Sequence, residues 1–172
     1  MPRLKRYTVL GILFVIFVGT LSHFLYEWSG KHVVVGLFTP VNESVWEHMK
    51  LLFFPMLLYS LFMILRLRGD YPCLPASLWA GILAGTSAIP FFYYTYIWIL
   101  DRDVFLLDLA TFILSVVIAF WISYRLALSC RTKSFCILLA GCVCLLFLCF
   151  LWFTYHPPKA MLFADPTARK VG

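Results

Sequence analysis

Five apolar stretches, separated by connections of only a few polar residues, constrain this chain more than anything else in it. They run from Tyr7 to Trp28, Val45 to Leu65, Ala76 to Leu100, Val104 to Leu126 and Ser134 to Tyr155. At ~1.5 Å of rise per residue, each is long enough as a helix to cross a hydrocarbon layer of roughly 30 Å. A helix also satisfies its own backbone hydrogen bonds where water cannot. With 63% apolar and 13% charged residues, the chain lies outside the composition of soluble domains. The expected fold is all-α, a polytopic integral membrane bundle of five transmembrane helices forming a single domain over residues 1–172, with a polar tail over 156–172. The opening MPRLKR and its apolar run resemble a signal peptide, but the run is too long and lacks a small-x-small cleavage site. It is read as a retained first span, in contact with the lipid bilayer like the other four.

The formal net charge is +6, yet Lys and Arg are scattered over short connections instead of clustering with stacking aromatics. No nucleic-acid partner is expected. The basic residues speak to topology instead. Arg3, Lys5, Arg6, Arg66, Arg68, Arg125, Arg131 and Lys133 fall on one side; Lys31, Lys50, Arg102 and Lys159 fall near the membrane on the other. Eight against four places the N-terminus in the cytoplasm and the C-terminus outside, as in a multi-pass cell-membrane protein. On that topology Cys73, Cys130 and Cys136 face the cytoplasm and Cys142, Cys144 and Cys149 lie inside the last span, so no structural disulfide is expected. Cys142-x-Cys144 is read as packing, not redox chemistry. Gly81 and Gly85 in the third span form a small-xxx-small face. It serves either close packing inside the bundle or a homo-oligomer contact.

Unusual polar groups gather at one end of the bundle. The first span ends with His23 and Glu27, four apart and on one side of a helix. The second opens with Glu43, Glu47 and Lys50 on one stripe, with His48 about 100° away from Glu47 beside Ser44. Asp101, Asp103 and the deeper Asp108 begin the fourth, and Tyr155 and His156 close the fifth. A charge within the membrane costs several kcal/mol by insertion scales, so such groups face the bundle interior and find partners. Some have simpler roles. Asn42 fits a helix N-cap and Glu43 the positive end of the helix. Trp28, Trp46, Tyr93, Tyr94, Tyr96, Trp98, Trp152 and Tyr155 fit an interfacial aromatic belt.

Glu47, His48, His23 and Glu27 are the residues that capping and anchoring explain least. Imidazole and carboxylate together bind divalent metals or pass protons. A metal site would draw on Glu47, His48 and His23, with Glu47 and His48 also the candidates for catalytic acid and base. A ligand pocket would draw on Glu43, Glu47, His48, Glu27, His23 and Asp108, from the first, second and fourth spans. The arrangement is not HExxH, and the chain has no P-loop, GxGxxG or GxSxG motif. Lys50 could instead neutralise Glu43 or Glu47 as a structural ion pair.

The stretches HFLYEWSG, VGLFTPVNESVWEHMKLLFFPMLLYS, FFYYTY, LLDLATFILSV and HPPKAMLFADPTARKVG resemble a domain-of-unknown-function family of small polytopic bacterial membrane proteins. The NESVWEH block and the PP-x4-F-x-DP tail carry most of that likeness. The resemblance implies a shared five-helix architecture and places Glu27, Asn42, Glu43, Glu47 and His48 in the family pattern; it implies no activity, cofactor or partner.

Three functions fit: an extracytoplasmic carboxylate and histidine pocket that binds a small ligand or divalent metal, with or without catalysis; a non-enzymatic assembly protein; or a proton- or cation-coupled transporter using Glu47 and Asp108. Pro157, Pro158 and Pro166 argue against a sixth span, and the apolar patch AMLFADP is expected to fold back over the pocket mouth.

Overall fold

The computed structural model describes residues 2–165, and among them every regular element is helical. Five helices are long and apolar enough to cross a membrane. They are α1 (Pro2–Trp28), α3 (Val45–Leu67), α4 (Leu74–Leu100), α5 (Phe105–Ser129) and α6 (Cys136–Phe153). A short helix not foreseen in the sequence, α2 (Val33–Phe38), lies between the first two, and a 3-10 turn spans Met161–Phe163 in the tail. Pro166 lies outside the described residues.

Helix α3 is the hub. Of its most apolar window 56% is buried inside the protein, against 11% for the last span. It packs on α1 and α4, and a chain of aromatic contacts ties it to α6: Trp46, Phe53 and Phe54 each lie against Phe150 at ring separations of 4.6, 5.0 and 5.9 Å. Pro55 has no N–H to offer the carbonyl of Leu51 four residues earlier. That carbonyl faces Gly19 of α1, where a Cβ would come within 2.5 Å of it. The missing hydrogen bond and the missing side chain together mark the close approach of these two helices. Large apolar side chains such as Phe17, Leu65, Phe105 and Ile137 project outward at 70–90% exposure, a pattern that suits lipid contact.

Helices α4 and α5 make the most extensive pairing. A Cβ on Gly81 would overlap Ser123 and the carbonyl of Ala119, and one on Gly85 would meet Ala119 at 2.5 Å. This small-residue face is therefore filled by α5 of the same chain, and an oligomer would have to use another surface. The α4–α5 pairing also corrects the expectation for cysteine. Cys73 caps the start of α4 and Cys130 the end of α5, so antiparallel packing brings their Cα atoms to 5.3 Å and a disulfide joins them. Spacing of 57 residues along the chain hid this contact. On the same face Arg3 forms an ion pair with Asp70 at 2.7 Å.

The start of α3 differs in one detail. Its N-cap is Ser44, whose Oγ accepts from the N–H of Glu47, while Asn42 Oδ1 accepts from the Ser44 N–H at 2.9 Å and bends the chain into that cap. Glu43 thus precedes the helix and does not lie in its first turn. Trp46 is also not part of a lipid-facing belt; it is buried beneath Phe150, Phe153 and the tail residue Phe163.

The bridge is checked by counting thiols in the denatured protein. Four (Cys136, Cys142, Cys144 and Cys149) react before reduction and six after it. Six from the outset would contradict the bridge. Cys73→Ser is expected to cost about 2–4 kcal/mol of stability, read as a lower melting temperature in detergent.

Candidate metal centre at one end of the bundle

Two polar clusters form where α1, α3 and α5 reach the face opposite the N-terminus, and they divide the ionisable residues between them. The deeper one is a closed ion pair. Lys50 is fully buried and Glu47 is 2% exposed. The Lys50 ammonium donates to Glu47 Oε2 at 2.7 Å, to the Gly36 carbonyl at 3.1 Å and to Thr154 Oγ1 at 2.6 Å. All three of its protons are placed. Glu47 Oε2 also accepts the Val41 N–H at 3.0 Å. One cation therefore fastens α2, the 39–44 connection, α3 and the end of α6. The i,i+3 spacing allowed this pairing in the sequence, but only the fold brings Gly36 and Thr154 to complete it.

The shallower cluster joins His23, Glu43 and His48. Glu43 Oε2 lies 3.6 Å from His23 Nε2 and 3.4 Å from His48 Nε2, and one potential ligand atom from each residue falls within 4.8 Å of the others. His23 comes from α1, five residues before its end at Trp28, and His48 from the close of the first turn of α3, which starts at Val45. Glu43 reaches both because it sits in extended chain just before the Ser44 cap. The imidazole of His23 is the largest influence holding the Glu43 carboxyl below the usual carboxylate range, aided by the charges of His48 and His23 against partial burial. It is an anion at neutral pH.

The other ring nitrogen of His48, Nδ1, lies 3.0 Å from the Ser44 carbonyl. A carbonyl only accepts, so Nδ1 is the protonated nitrogen. In a neutral ring Nε2 then presents a lone pair to Glu43. Either a second proton on Nε2 or a metal ion supplies the positive charge that this 3.4 Å contact with the Glu43 carboxylate calls for.

The remaining sequence candidates take other positions. Glu27 pairs with Lys31 at 3.4 Å in an exposed i,i+4 contact, away from the cluster. Asp108 accepts a short hydrogen bond from the Tyr96 hydroxyl, which also contacts Asp103 at 3.0 Å. Both aspartates lie within electrostatic reach of the cluster, Asp103 toward His48 and Asp108 toward Glu43. Tail residues Met161–Phe163 fold back on α3, with Phe163 4.8 Å from Trp46 and 5.6 Å from Phe153. His156 stacks on Trp152 at 4.7 Å and plays no part in either cluster.

Fold and site together define a class: an all-helical protein, with five helices long and apolar enough to cross a membrane and a histidine–glutamate cluster at one end that could hold a metal ion. The chain belongs to a family of unknown function, DUF6512, whose family model matches residues 1–172. No curated protein and no solved structure matches it.

The ion pair yields a stability prediction. Lys50→Met leaves Glu47 buried without its partner and should cost about 3–5 kcal/mol. Combining it with Glu47→Leu removes the orphan charge and should recover much of that loss in thermal unfolding. A single variant as stable as the parent would contradict the pairing.

Proposed function

We propose that His23, Glu43 and His48 bind a divalent transition metal, making this a metal-binding membrane protein. The observation that carries the proposal is the convergence of one ligand atom each from His23, Glu43 and His48 within 4.8 Å of one another, with Glu43 Oε2 3.4 Å from His48 Nε2 and Nδ1 of His48 anchored on a backbone carbonyl. Metal-ligating histidines are held in this way, the far nitrogen donating to a carbonyl or carboxylate. A cation placed between the carboxylate and the two ring nitrogens would take all three as ligands.

The spacing also suits the chemistry. Bonds of about 2.0–2.1 Å in a tetrahedron put ligand atoms roughly 3.3 Å apart, close to the 3.4 and 3.6 Å from Glu43 Oε2 to the two ring nitrogens, while the whole set lies within 4.8 Å. Two imidazoles and one carboxylate favour zinc or iron(II) over calcium or magnesium, which take oxygen ligands. Three protein ligands leave positions for water or substrate, the composition of catalytic His2Glu sites. Asp103 and Asp108, joined by Tyr96, and Asp165 are carboxylates whose charge reaches the cluster, and with a metal bound they would be candidates for general-base work.

Transport is less well supported. No Asp, Glu, Lys, Arg or His lies between Arg6 and His23 in α1, between Lys50 and Arg66 in α3, anywhere in α4 or α6, or between Asp108 and Arg125 in α5. A conducted ion would find no charged or imidazole relay to the opposite face.

For orientation, the distribution of Lys and Arg supports a cytoplasmic N-terminus in the cell membrane, with the metal cluster outside. The Cys73–Cys130 bridge favours the reverse, since disulfides persist on oxidising faces. Labelling a single introduced cysteine at Gly30 with a membrane-impermeant maleimide in intact cells decides between them. Labelling supports the metal cluster being outside, and protection until lysis overturns it.

Elemental analysis of the purified protein tests the metal proposal. About one zinc or iron per chain is expected, with at least a tenfold loss of affinity in His48→Ala and in Glu43→Gln, and little change in Glu27→Gln. Absence of stoichiometric metal after reconstitution, or equal binding by all three variants, would overturn it.

A further inference from the structure

At the opposite end, α1 and α3 diverge around a groove of about 600 Å³ lined by Arg3, Arg6, Tyr7, Leu10, Tyr59 and Phe62. Its α1 residues follow the 3, 6, 7, 10 spacing of one helix face. Polarity changes along that face over roughly 10 Å of rise. Guanidinium groups lie at the membrane surface, Tyr7 and Phe62 one turn in, and Leu10 and the ring of Tyr59 deeper, since α3 ends at this face with Leu67. The Tyr59 hydroxyl donates to the Tyr7 carbonyl at 2.9 Å, and Tyr7 stacks on Phe62 at 6.0 Å, so the floor is held in place. Arg66 adds a third cation, its guanidinium 5.8 Å above the Phe62 ring. Asp70 neutralises Arg3 in part, and among the described residues neither Arg6 nor Arg66 is paired with a carboxylate. The rim is therefore net positive above an apolar trough.

We propose that this groove binds one anionic phospholipid, its phosphate between Arg3 and Arg6 and an acyl chain along Leu10 and Phe62. A phosphate group matches the surplus of guanidinium charge, since arginine engages phosphate oxygens through paired N–H donors. Basic recesses between membrane helices are suited to such headgroups. The apolar floor continuing from the rim distinguishes this site from the scattered basic residues elsewhere on the face. It is independent of the metal cluster, which lies at the other end of α1.

Native mass spectrometry of the protein released from bilayers of equal phosphatidylglycerol and phosphatidylcholine, with matched acyl chains, tests the proposal. One phosphatidylglycerol per chain is expected, enriched several-fold over phosphatidylcholine. Arg6→Gln should abolish the enrichment, and so should Leu10→Trp, which fills the trough and leaves every charge in place. Arg125→Gln, an exposed cation on the same face but outside the groove, should keep it. No enrichment in the parent, retention in Leu10→Trp, or equal loss in Arg125→Gln would each overturn the proposal.

Discussion

The ion pair between Lys50 and Glu47 is the interaction on which the polar end of this protein depends. A buried ammonium is tolerable only when its protons are all placed and its charge is matched. Here the three acceptors come from α2, α3 and the end of α6. Satisfying one cation therefore fixes the short helix, the connection into α3 and the last span against one another. That connection carries Glu43. Its backbone is held from one side by Val41 donating to Glu47 and from the other by the Asn42–Ser44–Glu47 turn. The rigid pair thus positions the carboxylate that faces the two histidines.

The division of labour between the two clusters follows from depth. Glu47 and Lys50, fully enclosed, neutralise each other and leave nothing free for chemistry. His23 and His48, partly buried, and the exposed Glu43 lie one layer nearer the surface and bring one potential ligand atom each within 4.8 Å of the others. A protein that needed only to cap a helix would not require two imidazoles there, and one that needed only an ion pair already has it a turn below. The opposite face is organised differently, by the Cys73–Cys130 bridge, the Arg3–Asp70 pair and a basic groove.

Much of the architecture was legible in the sequence because length and hydropathy suffice to mark helices that can cross a membrane. Helix α3 was expected to start at Val45 and does. The polar end was legible as a region but not as a partition. Spacing put Glu43, Glu47 and Lys50 on one stripe, and nothing in that pattern says which carboxylate meets the lysine. The answer rests on Gly36 and Thr154, far away along the chain. Treating Asn42 as the cap moved Glu43 into the helix and made Glu47 the more probable ligand; the cap at Ser44 reverses that order. Trp46 looked like an interfacial anchor because the tail that covers it lies over 100 residues away. The disulfide was hidden for a similar reason, since α4 and α5 must pair before Cys73 and Cys130 meet.

The most direct measurement is X-ray absorption fine structure on the zinc-loaded protein. Outer-shell scattering from two imidazoles is expected, with nitrogen and oxygen ligands at about 2.0–2.1 Å, falling to one imidazole in His48→Ala. A shell of oxygen ligands alone, or one that His48→Ala leaves unchanged, would contradict a metal centre built from His23, Glu43 and His48.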